Sequence, residues 1–582
     1  IETILRQSLV EFEQRGVTDD DLLKVKAQIE AASIFGLQSV SGKVSQLAYN
    51  ETFFSEPDLM AADIARYQAV TKEDIVRVYQ KYLKNQHAAV LSIVPNGKVA
   101  PPAKADNYQI AARNFQGAST TKASDLVLRK TPSTFDRSQQ PVAKANPSVN
   151  LPATWQEQLP NGIAMLGSQS FETPTTDILL KIPAGLYFET ADTLGTTAML
   201  AALLNESSEN YSTEAMAMAL QKLGSSIAVS SDDQNINVFV SSLSKNLPAT
   251  LDLLEEKLFR PAFSVADFER LKLQSIQGLE HATKDAGYQA DRAFRELMFG
   301  QHIARFDQTG TLVSLQQMQL AAVQALYQKQ FKPTGAQLIL VSDLAKADVV
   351  ALLNGKLAKW QGQGAAMVEQ PAVAVAEAGT IYLIDKPDAA QSEIRIGKRS
   401  LLEDLHGDFY RAGLMNFVLG GNFNSRLNLK LREEKGYTYG ARAGFSADDQ
   451  LGVYSASAAV RTDATAAAVK EFLSEITKYQ QAGITAEELE FTRNAINQAD
   501  ALKYETPTAK LGFMAKMQHY NTNADFVQKR QNLVQSLTKA EVDALAKQHL
   551  DPTTMAIVVV GDAKKIRPDL EALGYPVKTY QF

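Results

Sequence analysis

The alternation of apolar and polar positions along this chain predicts the same local order three times. A Thr or Ser followed by acids opens a helix at Thr18-Asp-Asp-Asp21, at Ser264-Val-Ala-Asp267 and at Thr485-Ala-Glu-Glu488, because the hydroxyl satisfies N–H groups left free in the first helical turn. A second cap, Thr71 or Thr538, opens an amphipathic helix. A short apolar run then closes each unit: Ala88–Val94, Gln337–Val341 and Met555–Val560 read as strands. Strand-rich stretches lie ahead of two of the units. Gly162–Leu166, Thr176–Ile182 and Ile227–Ser241 precede one, and Gly379–Ile384, Glu393–Ile396 and Gly452–Ala459 precede the other. The longest apolar run, Thr197–Leu204, reads as a buried helix and is far shorter than the ~18 residues that span a bilayer.

These units are copies of one another. Residues 16–94 align without a gap with residues 483–561, an offset of 483 − 16 = 467. Gly16-Val-Thr18 matches Gly483-Ile-Thr485, Leu22 matches Leu489, and Gln68, Thr71 and Lys72 match Gln535, Thr538 and Lys539. A more diverged copy runs from about Pro261 to Val341, where Tyr327-Gln-Lys329 echoes Tyr79-Gln-Lys81. Self-similarity at this length signals domain duplication. The fold class expected is α+β, each complete domain a mainly antiparallel sheet packed with helices. No strand-rich stretch precedes the first copy, so residues 1–98 read as the C-terminal part of a domain. Residues 99–148, rich in Pro, Ala, Lys, Ser and Thr without periodicity, read as a linker. Residues 149–372 and 373–582 read as two full domains, their boundary in the stretch Gln361–Gly379.

Composition narrows the chemistry. The 582 residues are 45% hydrophobic and 21% charged, ordinary for a globular chain, and the net charge of −6 argues against nucleic acid as the main partner. There is no cysteine, which removes disulfides, thiolate metal sites and a cysteine nucleophile. Zero Cys is tolerable in cytosol and periplasm alike, so the compartment stays open, with periplasm the choice for a bacterial source. The chain starts at Ile1 and carries no signal-peptide pattern. His87, His281, His302, His406, His519 and His549 include no pair four apart and read as structural or surface residues. Neither G-x-S-x-G nor the phosphate-loop pattern occurs.

The segment richest in chemistry is Leu431–Gly440, LREEKGYTYG, just after Gly420–Leu427, GGNFNSRL. Taken alone, Leu427–Glu434 is an amphipathic helix with Arg426, Lys430 and Arg432 on a solvated face. Together with Leu159-Pro-Asn-Gly162, Pro183-Ala-Gly185, Gly195-Thr-Thr-Ala198 and Gln391-Ser392, however, it resembles the pitrilysin/insulinase-type zinc peptidases, the inverse zincins. That resemblance implies four related domains paired as two halves of a clamshell. It implies that Arg432 and Tyr439 reach the peptide bond being cut, with Tyr437 packing beside them. It also places an H-x-x-E-H zinc motif in the opposite half. Here the two His and the Glu of that motif map onto Ala198, Ala202 and Ala201, which have no lone pair for a metal. The chain is therefore expected to bind no zinc. It reads as the substrate-binding, non-catalytic portion of an endopeptidase that hydrolyses peptides in an enclosed chamber. The implied partners are a peptide or unfolded protein and an N-terminal catalytic half that carries the zinc ligands. The alternative is a zinc-free structural or assembly subunit, or the non-catalytic partner in a heterodimeric processing peptidase.

Overall fold

The computed structural model describes residues 2–91, 93, 134, 136–139, 149–371, 373, 376–500 and 502–582. The expected linker over 99–148 lies almost wholly outside the described residues. The capped segments are helical. The N-terminal part of the chain supplies α1 (Glu2–Arg15), and the first copy supplies α2 (Asp19–Phe35), α3 (Val40–Phe54), α4 (Met60–Ala69) and α5 (Lys72–Tyr82). The middle of the chain supplies α6 (Thr196–Leu203), α7 (Thr213–Leu223), α8 (Leu247–Phe259), α9 (Val265–Ala282), α10 (Ala286–Phe299), α11 (Leu312–Gln317), α12 (Leu320–Gln330) and α13 (Lys346–Leu357). The last part supplies α14 (Asp408–Asn416), α15 (Arg426–Asn428), α16 (Thr465–Ala482), α17 (Ala486–Asp500), α18 (Pro507–His519), α19 (Asp525–Ser536), α20 (Lys539–His549) and α21 (Ala563–Glu571). Thr71 and Thr538 each form a reciprocal capping box, with Asp74 and Glu541 returning a carboxylate to the cap's own N–H. The start of α5, Lys72, and the start of α20, Lys539, differ by 539 − 72 = 467, the offset of the repeat.

The described residues divide into two compact units. One holds α1, the start of α2, most of α4 and α5. In it the Tyr79 hydroxyl donates to Glu13 (2.6 Å) and the Tyr79 ring lies 4.8 Å from that of Phe12. The other unit holds the remaining elements, including both sheets.

The first sheet is built from β1 (Thr154–Gln158), β2 (Ala164–Gln169), β3 (Thr175–Pro183), β4 (Ser226–Ser231), β5 (Asn235–Leu243) and β6 (Gln337–Ser342), in the order β1-β2-β6-β3-β5-β4. The second is built from β7 (Ile381–Asp385), β8 (Gln391–Arg399), β9 (Ala441–Ala447), β10 (Gly452–Arg461), β11 (Ala556–Gly561) and β12 (Val577–Thr579), in the order β12-β7-β11-β8-β10-β9. Both sheets are mixed. The strand that closes each copy, β6 or β11, runs parallel to one neighbour and antiparallel to the other. The edges differ: β1 pairs antiparallel with β2, whereas β12 pairs parallel with β7.

Closing strands with apolar side chains on both faces need cover on both sides. The protein provides it reciprocally. Ile557 and Val559 of β11 face a core with α16 and α20, while Val558 and Val560 face Ala290, Phe294 and Met298 of α10. On the first sheet, Leu338 and Leu340 of β6 face a core with α6, α8 and α12, while Ile339 and Val341 face Leu511, Met514 and Met517 of α18. Each repeat thus lends one helix to the other's sheet.

One expected element is absent. Among the described residues Ala89–Leu91 and Ile93 are not in a strand, although their counterparts, Ala556–Val558 and Val560, lie in β11. β11 is held by hydrogen bonds to β7 and β8, and an extended segment without such neighbours leaves its N–H and C=O groups to solvent.

Candidate functional site

The Arg432–Tyr439 segment is the connection between α14 and β9, and buried anchors hold it. After α14 the backbone widens into a π-turn at Phe417–Gly421, then turns through Asn422 into α15. Gly420 is required there. A Cβ at this position would come 2.4 Å from the Ala443 nitrogen, so the turn could not lie against β9. Leu427 and Leu431 are fully buried in the second core, each contributing about 1.5–3 kcal/mol of transfer free energy. A second π-turn covers Leu429–Glu434, and the Lys435 N–H donates to the Lys430 carbonyl (3.1 Å). Two such widened turns in one connection are unusual, and they recur at functional sites. Gly436 then takes a positive φ of 63°, which reverses the chain toward β9.

This frame sorts the candidate residues. Arg432 is half-exposed. Its guanidinium carbon lies 4.6 Å from the centroid of the Phe423 ring, and its Nε is 3.5 Å from Glu433. Its Nη1 is buried without a hydrogen-bond partner among the described residues. Tyr439 is 91% exposed, whereas Tyr437 packs against the second core. Tyr437 is also fixed by its backbone. Its N–H donates to the Leu431 carbonyl (2.9 Å), and its carbonyl accepts from the Arg461 N–H (3.1 Å). Glu434 pairs with Lys430 (2.6 Å) and Lys435 (3.2 Å).

Arg426 does not belong to a solvated face. Its guanidinium makes a two-pronged contact with Glu488 (2.7 and 2.6 Å), donates to the Gly483 carbonyl (3.1 Å) and lies over the Tyr479 ring. Burial alone would raise the Glu488 carboxyl, but the Arg426 guanidinium and the Thr485 N–H outweigh it and hold that carboxyl below its usual range. The sequence marks Glu488 only as an acid in the first turn of α17 and not as the partner of Arg426, and it assigns no role to Phe423 or Asn428. An aromatic inside the turn-rich Gly-Gly-Asn-Phe-Asn-Ser run, and an Asn between two buried leucines, are the local signals that point to Phe423 and Asn428.

The helix onto which the resemblance maps the zinc motif is α6. Ala198 and Ala202 are half-buried four residues apart, and Ala201 is buried. Buried charges hold both ends. Glu189 accepts from the Gly195 N–H (2.8 Å) and the Thr197 N–H (2.6 Å), and burial pushes its carboxyl up to about 7. Lys257 donates to the Asn205 carbonyl (2.9 Å), and burial lowers its amine to about 8. Methyl groups at 198, 201 and 202 offer zinc no donor, so these residues do not fit the metal. Among the described residues no three His, Cys, Asp or Glu side chains stand where they could hold a metal ion. His302 accepts from the Ala304 N–H, and burial lowers its imidazole below the usual range, as it does for His549. No helix of the described residues is long and apolar enough to cross a membrane.

Comparison with known proteins agrees with this description. Residues 165–304 match the family described as insulinase (peptidase family M16), and residues 317–496, which include Arg432 and Tyr439, match the peptidase M16 inactive domain. A Helicobacter pylori relative called a non-peptidase homolog, YmxG, is 24% identical over 379 residues, 64% of this chain and 85% of the relative. A Bacillus subtilis protein called an uncharacterized zinc protease, also YmxG, is 20% identical over 357 residues, 60% of this chain and 84% of the relative. The fold is similar to a peptidase M16 inactive domain from Pseudomonas fluorescens, with a TM-score of 0.65 and 24% identity across 70% of this chain and 98% of that one. It is also similar to a structure described as a protease from Helicobacter pylori, with a TM-score of 0.64 and 15% identity across 71% of this chain and all of that one. On the two matched segments and the repeated sheets, the chain belongs to the insulinase-type M16 peptidase family.

Proposed function

We propose that this chain is the substrate-binding, non-catalytic portion of an M16 endopeptidase, and that Arg432 and Tyr439 engage the backbone of a peptide or unfolded protein. In this reading residues 149–372 and 373–582 form one half of a clamshell around an enclosed chamber. Cleavage chemistry belongs to a zinc-bearing half and not to this chain. One observation carries the reading. A phenol that is 91% exposed and a guanidinium whose side chain is 32% exposed leave the same connection, whose own anchors, Leu427 and Leu431, are fully buried. A forked guanidinium donates to peptide carbonyl oxygens along two directions, and a phenol donates one bond to an oxygen on which negative charge builds.

The test is peptide affinity. A fluorescein-labelled unfolded peptide is titrated with the full chain and its anisotropy followed. Arg432→Ala should weaken binding about tenfold or more, consistent with the loss of a charge-assisted hydrogen bond of roughly 1.5–3 kcal/mol. Equal affinity in parent and variant would remove the basis of the reading.

An assembly role is the second reading, and a different observation favours it. Leu5 and Leu9 of α1 are 63% and 48% exposed, although their counterparts in α16, Phe472 and Ile476, are fully buried against the second sheet. Leu83 is 61% exposed where Leu550 is fully buried. These faces suit a partner that presents a sheet like β7–β12. A zinc-free scaffold subunit needs that partner but has no use for Arg432, so the same titration separates the two readings.

A further inference from the structure

We propose that Asn428 is the positioning residue that sets Arg432 and Tyr439 as a pair. The proposal rests on the substrate-binding reading above and adds to it the residue through which the two groups are held together. Asn428 is 3% exposed, between the fully buried Leu427 and Leu431. An amide in such a place costs free energy unless both of its ends are bonded. Both are. Its Nδ2 donates to the Phe423 carbonyl (2.7 Å), and its Oδ1 accepts from the Ala441 N–H (3.0 Å).

The identities of those two partners give the amide its role. Phe423 is the residue on whose ring the Arg432 guanidinium rests, 4.6 Å from the centroid, and the ring itself is 65% exposed. Ala441 is the first residue of β9, two positions beyond Tyr439. A single side chain therefore ties the loop that supports Arg432 to the strand end that carries Tyr439. Thr438 completes the second attachment. Its hydroxyl donates to the Ala459 carbonyl of β10 (2.6 Å), which leaves Tyr439 as an exposed residue between two fixed neighbours. A leucine at 428 would fill the apolar face but would leave the Phe423 carbonyl and the Ala441 N–H without partners.

The role predicts coupling and not mere loss of stability. In the anisotropy titration of the full chain with the labelled unfolded peptide, Asn428→Ala should weaken binding about tenfold while the chain remains folded by circular dichroism. In an Arg432→Ala background the same change should weaken binding by no more than about threefold, because only the attachment of Tyr439 through Ala441 is left for it to disturb. If Asn428→Ala does not fold, Asn428→Ser, whose hydroxyl can still accept from the Ala441 N–H, is read in its place with the same expectation. Parent-like affinity, equal weakening in both backgrounds, or failure of both variants to fold would overturn the positioning role. Failure of the functional reading looks different: there the parent does not bind the peptide, or Arg432→Ala binds as well as the parent.

Discussion

Replacing Glu488 by Gln isolates the charge that anchors the Arg432 segment to α17. The carboxylate does two jobs. It accepts from the Thr485 N–H (2.9 Å) as part of the α17 cap, and it takes the Arg426 guanidinium at 2.7 and 2.6 Å. Gln is nearly isosteric and its carbonyl can still accept from Thr485, so the change removes the charge and not the cap. A fully buried pair costs about 3–5 kcal/mol when one member is lost. The Arg426 and Glu488 side chains are 21% and 26% exposed, and Arg426 keeps the Gly483 carbonyl and the Tyr479 ring. Discounted for that exposure and for those remaining partners, the expected loss is about 2 kcal/mol at pH 7. Its pH dependence follows from linkage. The folded carboxyl is held below its usual range, so its contribution is present above the unfolded pKa and fades as pH falls through the lower, folded value. Hydrogen exchange of the α15 and α17 amides in parent and variant reports the local opening free energy. The difference should be about 2 kcal/mol at neutral pH and should shrink as the pH falls below about 4. A difference within 0.5 kcal/mol at pH 7, or one constant from pH 7 to pH 3, would refute the reasoning.

Gly420→Ala should destabilise by about 1–3 kcal/mol in urea unfolding, because the added methyl meets the Ala443 backbone and must push β9 away. Lys257, whose folded amine is lowered to about 8, binds fewer protons folded than unfolded between pH 8 and its unfolded value. Parent stability should therefore gain up to ~3 kcal/mol across that window, and Lys257→Met should not show the gain. Elemental analysis of the purified full chain should find no stoichiometric zinc, and a quenched-peptide assay on the chain alone should show no chelator-sensitive cleavage. Stoichiometric zinc with such cleavage would contradict the alanine reading of α6.

Local chemistry in the sequence announced the elements that depend on it. Thr71, Ser264 and Thr538 cap the helices they precede, and the apolar runs at Gln337–Val341 and Met555–Val560 are the closing strands β6 and β11. Their apolar side chains on both faces imply burial on two sides, but nothing local says that α10 covers the second sheet and α18 the first. That exchange is decided by packing between residues more than a hundred positions apart. The Ala88–Val94 run carries the same β-branched pattern as β11 without forming a strand at its described positions, because pattern supplies the faces of a strand and not its hydrogen-bonded neighbours. At the site, the placement of Arg432 and Tyr439 on one connection between α14 and β9 was legible. Local spacing alone puts Arg426 on a solvated face, because its partner, Glu488, lies 62 residues away. Phe423 and Asn428 were missed for the same reason. Their roles exist only once the π-turns bring the loop, α15 and β9 together.

Turnover with Tyr439→Phe tests the central claim most directly. The change removes one hydroxyl from a side chain that is 91% exposed, so it leaves the core untouched. In the zinc-bearing assembly proposed to contain this chain, cleavage of a quenched peptide is followed for the parent, Tyr439→Phe and Tyr437→Phe. If the Tyr439 hydroxyl donates to the charge that builds on the scissile carbonyl oxygen, kcat should fall about 10²–10³-fold with an unchanged melting temperature. Tyr437→Phe, whose ring packs against the core, should turn over like the parent. Parent-like turnover in Tyr439→Phe, or a loss matched by Tyr437→Phe, would contradict the account.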